Sequence, residues 1–347
     1  MAMLAARLYG KHDLRIETVP VPTIGDEEIL LRVKAATVCG TDLRMLQNGA
    51  AGIDAENPLI LCHEFAGVIE EVGARVKGYQ VGERIAVAPN FGCGICDLCV
   101  SGQSHHCAKL KALGVHIDGG FAEFVRIPAE AVRLGNLSLL AQNVSFEAGA
   151  GNEAFACVYS AFSRYGVNPG ETVVIIGAGA IGLMHAKLAK MAGAAKIILN
   201  DLSEERLAEC VNLEPGVIAV KDNLFERVME ETAGRGAHVV ITACSAAAAQ
   251  RASFGLAGLD GRVNFFGGLP KGKSMVELDT NIIHYKELSV TGTTRASHKH
   301  YRSTLQFIDS GLVDIDPLVT HTFSIHEVDK AFENAVNAVG FKQAILF

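Results

Sequence analysis

Residues 171–182 constrain the fold more than any other part of this chain. Glu171-Thr172-Val173-Val174-Ile175-Ile176 becomes a continuous apolar run, as in a strand buried on both faces. Gly177-Ala178-Gly179-Ala180-Ile181-Gly182 follows at once, and Leu183 to Ala192 has helical composition, stopped by Gly193. A second buried strand, Lys196-Ile197-Ile198-Leu199, ends at Asn200-Asp201, and Ser203 is placed to cap the next helix, with Glu204 and Glu205 in its first turn. Glycine supplies 36 of 347 residues, so a G-x-G-x-x-G would arise by accident about 0.3 times. Its position between a buried strand and a helix, with an acidic residue at the next strand's end, raises it to a dinucleotide site. Gly177 would make the tight turn, Gly179 would let a pyrophosphate approach the backbone, and Gly182 would let the helix pack on the strand, with Ile181 opening that helix. The free N–H groups there suit phosphate. Asp201 would accept from both adenosine ribose hydroxyls, where a 2′-phosphate would meet a carboxylate, so NAD is favoured over NADP. Arg206 is expected over the adenine face.

Further strands are expected at Val217 to Val220, Ala237 to Thr242, Gly261 to Phe266 and Leu288 to Gly292. Six strands interleaved with helices imply an α/β, doubly wound parallel sheet of the Rossmann type. Residues 1–150 read differently. Ile29-Leu30-Leu31-Arg32-Val33-Lys34-Ala35 alternates, Val68-Ile69-Glu70-Glu71-Val72 is strand-like, and glycines punctuate both, which suggests a compact, partly open β-barrel. From about residue 293 the composition is mixed again. The expected boundaries are 1–152 with 293–347 for a catalytic domain and 153–292 for the coenzyme domain.

Composition narrows the function classes. Hydrophobic residues make up 49% and charged residues 20%, and 31 Lys+Arg against 38 Asp+Glu leaves −7. A mildly acidic chain without a basic run is poorly suited to nucleic acid or anionic membrane. No charge-free stretch of about 18 apolar residues occurs, and the N-terminus turns polar too early for a secretory signal. A cytoplasmic protein is expected.

Nine cysteines without a signal argue against a disulfide framework. Cys93, Cys96, Cys99 and Cys107 fall in one stretch, the spacing of a closed four-sulfur structural zinc shell at 90–110; His105 or His106 could replace one sulfur. Cys39, before Gly40-Thr41-Asp42, and Cys62, before His63-Glu64, suggest a second site. One thiolate, one imidazole and one carboxylate are what an open catalytic zinc site needs. The same residues equally suit a buried thiol and a core imidazole.

Cys39-Gly40-Thr41-Asp42, His63-Glu64-Phe65-Ala66-Gly67-Val68-Ile69, the four-cysteine lobe, Asp118-Gly119-Gly120-Phe121-Ala122-Glu123-Phe124 and the Gly177–Gly182 turn occur in the order seen in zinc-dependent medium-chain dehydrogenases, which the chain resembles along its length. Glu64 after His63, and Glu153 in Gly151-Asn152-Glu153-Ala154-Phe155-Ala156-Cys157, resemble the sorbitol (L-iditol) and sugar-alcohol-phosphate dehydrogenase branch. The resemblance implies a GroES-like catalytic domain and a Rossmann domain. It implies catalytic-zinc ligands at Cys39, His63 and Glu64, with Glu153 reaching the ion directly or through water. Asp42 would orient the imidazole and Thr41 would carry the proton outward. Gly267, Gly268, Leu269 and Thr293 would lie along the nicotinamide half, and Arg295 would hold substrate.

The implied activity is hydride transfer from a secondary alcohol of a polyol to NAD, giving a ketose, with two zinc ions per chain and a homodimer or homotetramer joined near Leu288-Ser289-Val290-Thr291. Free alcohols barely ionise near neutrality, which is the task for zinc. Another secondary alcohol such as threonine, or a catalytically idle zinc- and NAD-binding protein, are the alternatives. The chain departs from the family's usual residues at Cys62 (glycine), Ala154 (proline), Arg44 (histidine) and Ala296 (aromatic). Lys299, His300 and Arg302 could hold a substrate phosphate, or form a solvated turn.

Overall fold

The computed structural model describes residues 1–347. It comprises two compact units, Met1–Ala156 with Ala296–Phe347, and Cys157–Arg295. The division falls inside the helix Phe146–Tyr165.

The 157–295 unit is a six-stranded sheet in the order Ile218–Val220, Lys196–Asn200, Thr172–Ile176, Ala237–Thr242, Ala257–Phe265, Ser289–Gly292, and every pairing is parallel. Strand order reverses between Thr172–Ile176 and Ala237–Thr242, which is the doubly wound Rossmann topology. The central strands are buried on both faces because helices cover them: Val173, Val174 and Ile175, and Val239, Val240 and Ile241, have no exposed surface. Asp201 falls just beyond the Lys196–Asn200 strand and Gly177 just beyond Thr172–Ile176, paired in register as Ile176 with Asn200. The helix Ala180–Met191 starts inside the glycine run, three residues before the expected Leu183. The expected Gly261–Phe266 strand begins earlier, at Ala257, where its first residues bend around a register shift against Ala237–Thr242. Ser289–Gly292 is an edge strand with Val290 partly exposed.

The other unit is GroES-like. Its seven-stranded sheet runs Leu137–Leu139, Arg84–Val87, Phe65–Val72, Ile29–Thr37, Lys342–Leu346, Val319–Ser324, with Phe124–Ile127 also on Ile29–Thr37. A second sheet holds Asp13–Pro20, Ala2–Gly10 and Leu59–Ile60. Between them lies an apolar core that includes Leu8, Leu31, Phe65, Ile69, Leu113 and Phe121. The C-terminal tail is part of this sheet: Leu346 pairs with Ala35, and Ala344 with Thr37. The four-cysteine segment is an excursion closed by the short pair Asn90–Phe91 and Lys111–Ala112. No helix is long and apolar enough to cross a membrane.

Candidate active site and metal centres

Cys39 and His63 lie on different loops, and Asp42 ties those loops together. Cys39 is the N-cap of the helix Gly40–Asn48, and Asp42, three residues on, turns back so that its Oδ2 accepts from the Cys39 N–H at 2.9 Å. Its Oδ1 accepts from the Cys62 N–H at 3.2 Å and stands 3.8 Å from His63 Nδ1. Asp42 has no exposed surface. Burial raises its pKa, against the lowering effects of His63 and of the two N–H groups. One carboxylate therefore fixes two backbone segments and faces the imidazole between them.

The result is a three-donor cluster. Ligand atoms of Cys39, His63 and Glu64 all lie within 4.8 Å of one another. The side chains of His63 and Glu64 are buried, and two of their atoms, His63 Nδ1 and Glu64 Oε1, have no hydrogen-bond partner. Burial works against protonation of His63, but the Cys39 sulfur, Asp42 and Glu153 outweigh it and hold the imidazole pKa well above its ordinary value. Such a set demands a positive charge. A cysteine sulfur, an imidazole and a carboxylate oxygen brought together in this way fit a zinc ion with three protein donors.

Glu153 is buried on the helix Phe146–Tyr165 and its charge bears on His63 and on Lys342, but it stands outside the 4.8 Å set. Thr41 Oγ1 accepts a 2.8 Å hydrogen bond from Arg44 Nη2. Arg44 has no proton to exchange near neutrality, so it orients the threonine hydroxyl and does not relay. Cys62 holds φ +78°, a conformation a β-carbon disfavours, with no exposed surface and its Sγ 3.2 Å from the Glu64 carbonyl oxygen. Burial, then Asp42 and Glu64, push its thiol well up, so it stays protonated and is a poor ligand.

Sequence reasoning missed Lys342 and Thr37. Lys342 Nζ and Thr37 Oγ1 both donate to Glu64 Oε2 in short contacts. Lys342 lies at the head of the C-terminal strand with its side chain buried, and Nζ also donates to the Val38 carbonyl at 3.3 Å. Burial would lower its pKa, but Glu64, Cys39 and Glu153 raise it above the ordinary value. The one signal in the sequence is a lysine opening the Lys342–Leu346 segment, next to polar Gln343, which reads equally well as a surface residue.

The four lobe sulfurs of Cys93, Cys96, Cys99 and Cys107 also lie within 4.8 Å of one another. Cys107 Sγ accepts from the Cys93 and Lys109 N–H groups at 3.4 and 3.3 Å. The Ile95 and Cys96 N–H groups bring the Cys93 thiol down to about 6, and those on Cys107 lower its thiol too. Burial instead pushes the Cys99 thiol up to about 12; the two lowered thiols, each met by backbone donors, suit ligation as thiolates. His105 is buried with its ring tilted against that of His106, centroids 4.0 Å apart, but neither belongs to the donor set.

In the coenzyme-type unit, Gly177 has φ +115°, and a β-carbon on it would press at 3.1 Å on the Ala243 backbone. One on Gly182 would overlap the Gly177 carbonyl, so the helix start sits directly on the turn. Beside Gly179 there is open space bordered by Arg206 Nη1, 3.8 Å from an added β-carbon. The Arg206 guanidinium is thus beside the glycine turn, and the Arg206 backbone N–H donates to the capping Ser203 Oγ at 3.2 Å. Asp201 Oδ2 accepts from the Ala178 N–H at 2.8 Å and Oδ1 from the Ser203 N–H at 2.9 Å, which aims the carboxylate and leaves each oxygen a lone pair. Gly267 receives a 3.1 Å hydrogen bond from Gln250 Nε2 on its carbonyl, Gly268 is exposed, and Leu269 and Thr293 are half-buried. Arg295 is exposed with φ +61°. The turn, the open space and the aimed carboxylate fit a dinucleotide.

Both units have counterparts among known protein families. Residues 25–136 match the alcohol dehydrogenase GroES-like domain, and residues 180–310 match the zinc-binding dehydrogenase family. Sorbitol dehydrogenase of Bombyx mori is 30% identical, with 97% of each chain covered. L-threonine 3-dehydrogenase of Bacillus licheniformis is 33% identical over 93% of this chain and 92% of its own. A solved structure described as a zinc-binding dehydrogenase from Sinorhizobium meliloti 1021, bound to NADP, superposes with a TM-score of 0.89 at 29% identity, each chain covered completely. The chain belongs to the zinc-dependent medium-chain alcohol dehydrogenase family, and it is an oxidoreductase of that family.

Proposed function

We propose that the chain oxidises a secondary alcohol of a polyol, free or phosphorylated, to a ketose, with NAD as hydride acceptor. The observation that carries this reading is the convergence of Cys39, His63 and Glu64 donor atoms beside a buried Asp42. A zinc ion held there would supply Lewis acidity, the effect that brings the pKa of water from about 15.7 to about 7. Asp42 keeps His63 oriented, and Thr41, its oxygen turned to Arg44, has its own hydrogen free to move between substrate and solvent. Glu153 is proposed as the movable acidic group that approaches the ion as substrate enters or leaves.

Arg295 supports a polyhydroxylated substrate, because its fork of donors suits several oxygens and gains nothing from an apolar alcohol. The deciding experiment is a screen of polyols, polyol phosphates, threonine and short alcohols by NAD reduction, repeated on Arg295→Ala. Polyol efficiency should fall about ten-fold or more in the variant while a short alcohol is little changed. Equal losses on both would remove the polyol assignment, and turnover of threonine alone would favour the second reading, which a 33% identical threonine dehydrogenase supports.

NAD is favoured because Asp201 presents a carboxylate where a 2′-phosphate would sit. Asp201→Ala is expected to weaken NAD binding about ten- to a hundred-fold and to relax discrimination against NADP, by loss of charge-assisted hydrogen bonds. Equal catalytic efficiency with NADP in the unmodified protein would overturn the preference.

Two zinc ions per chain are proposed, one catalytic and one at Cys93, Cys96, Cys99 and Cys107. Cys107→Ser should lose one ion by elemental analysis and lower stability, while Cys39→Ser loses the other and abolishes turnover in a folded protein. A single zinc in freshly purified active enzyme would refute this. Pairing of two copies through the Ser289–Gly292 edge is proposed for the oligomer.

A further inference from the structure

Glu64 is held on one oxygen only. Its Oε2 accepts from two donors, Lys342 Nζ and Thr37 Oγ1, while Oε1, equally buried, has no partner. A carboxylate oxygen has two lone-pair positions, so Oε2 is fully subscribed. Neither donor is free to drift. Thr37 is buried at the end of the Ile29–Thr37 strand, and its own N–H donates to the Glu64 carbonyl at 2.9 Å. Lys342 is tethered through its neighbour, since the Val38 N–H donates to the Gln343 carbonyl at 2.9 Å, and Nζ reaches the Val38 carbonyl.

We propose that Lys342, with Thr37, is a positioning residue that restricts Glu64 to binding a metal through a single oxygen and so makes the Cys39–His63–Glu64 site selective for small, four-coordinate ions. The inference rests on the proposed metal-binding role of that cluster. A one-oxygen carboxylate leaves three protein donors, which suits tetrahedral zinc. Ions that take six oxygen-rich ligands, such as Mn2+, gain from a chelating carboxylate, and that mode is closed while Oε2 is occupied. Lys342 also cancels the Glu64 charge, so the site gains a carboxylate donor without the full anionic attraction for every divalent ion.

The test reconstitutes metal-free full-length protein and measures Zn2+ and Mn2+ affinities by chelator competition, with Cys39→Ser defining the contribution of the four-cysteine lobe. Cobalt substitution supplies a second readout, because four-coordinate Co2+ absorbs visible light far more strongly than five- or six-coordinate Co2+. In Lys342→Met, the preference for Zn2+ over Mn2+ should fall by about ten-fold or more, and the Co2+ bands should weaken as Oε2 joins the shell. Lys342→Arg, which keeps the cation, should restore both. Should Lys342→Met fail to fold, Thr37→Val keeps the ion pair and should shift both readouts in the same direction by less. A native ion preference and a native cobalt spectrum in Lys342→Met, or in Thr37→Val where that is the folded variant, would overturn the inference and leave the metal site standing. Unmodified protein that binds no more metal than Cys39→Ser would instead remove the metal site, and the inference with it.

Discussion

Asp42→Ala is expected to lower the stability of the protein by about 3–6 kcal/mol, since it orphans two N–H groups at about 1–3 kcal/mol each and removes a buried side chain. The Cys39 and Cys62 N–H groups both lose their acceptor, and the two loops lose the carboxylate to which both donate. The same change should weaken zinc retention ten- to a hundred-fold, because the imidazole of His63 is no longer faced by a carboxylate. Urea unfolding and zinc loss to a chelator measure the two effects separately. Asp42→Asn, which keeps an oxygen acceptor of the same size, should recover most of the stability and less of the zinc affinity. A Asp42→Ala protein with native stability would show that the loops are held by their own packing.

The second large effect is acid sensitivity at His185. This residue, in the helix Ala180–Met191, has no exposed surface, its Nδ1 is 2.9 Å from the Tyr165 hydroxyl, its Nε2 has no partner, and its ring meets Phe266 edge-on at 5.0 Å. Burial lowers its pKa to about 3. The unfolded chain takes up a proton near pH 6.5, the folded chain only near 3, so this contribution to stability is complete above about 6.5 and is lost as the pH falls. Between pH 7 and pH 4 the loss from this one group is about 3 kcal/mol, at about 1.4 kcal/mol per pH unit. His185→Gln retains a partner for Tyr165 and has nothing to titrate, so its stability should fall that much less over the same range in urea unfolding. Parallel losses in the two proteins would show that His185 is protonated in the fold.

The coenzyme-type sheet was legible because parallel strands covered on both faces must be written as unbroken apolar runs. Residues 173–176, 197–199 and 239–241 are such runs, and helix starts and stops at Ser203 and Gly193 carried their own chemistry. The metal clusters were visible to different degrees. Four cysteines within fifteen residues announce their own proximity, but nothing local brings Cys39 to His63. That meeting depends on Asp42 accepting hydrogen bonds from both loops, and the resemblance pointed to Asp42 only as a partner of the imidazole. Lys342 was not legible at all. It reaches Glu64 from 278 residues away, and a lysine at the head of a short strand ordinarily extends its amine into water. Only the register of Lys342–Leu346 against Ile29–Thr37 turns it inward.

That register also dictates an order of assembly. Residues 157–295 are continuous, and every strand of their sheet is made before Lys342–Leu346. In the sheet of the other unit, the place between Ile29–Thr37 and Val319–Ser324 is filled by Lys342–Leu346. Closing it joins segments some 300 residues apart, the kind of contact that forms late and slowly. Until Lys342–Leu346 is made, the nascent chain therefore keeps Ala35, Ala36 and Thr37 unpaired on that side, while Phe124–Ile127 can already cover Ile29 to Arg32. Lys342 arrives with that closing strand, so a chain cut short before it has an open edge at Ala35 to Thr37 and a Glu64 without its charge partner.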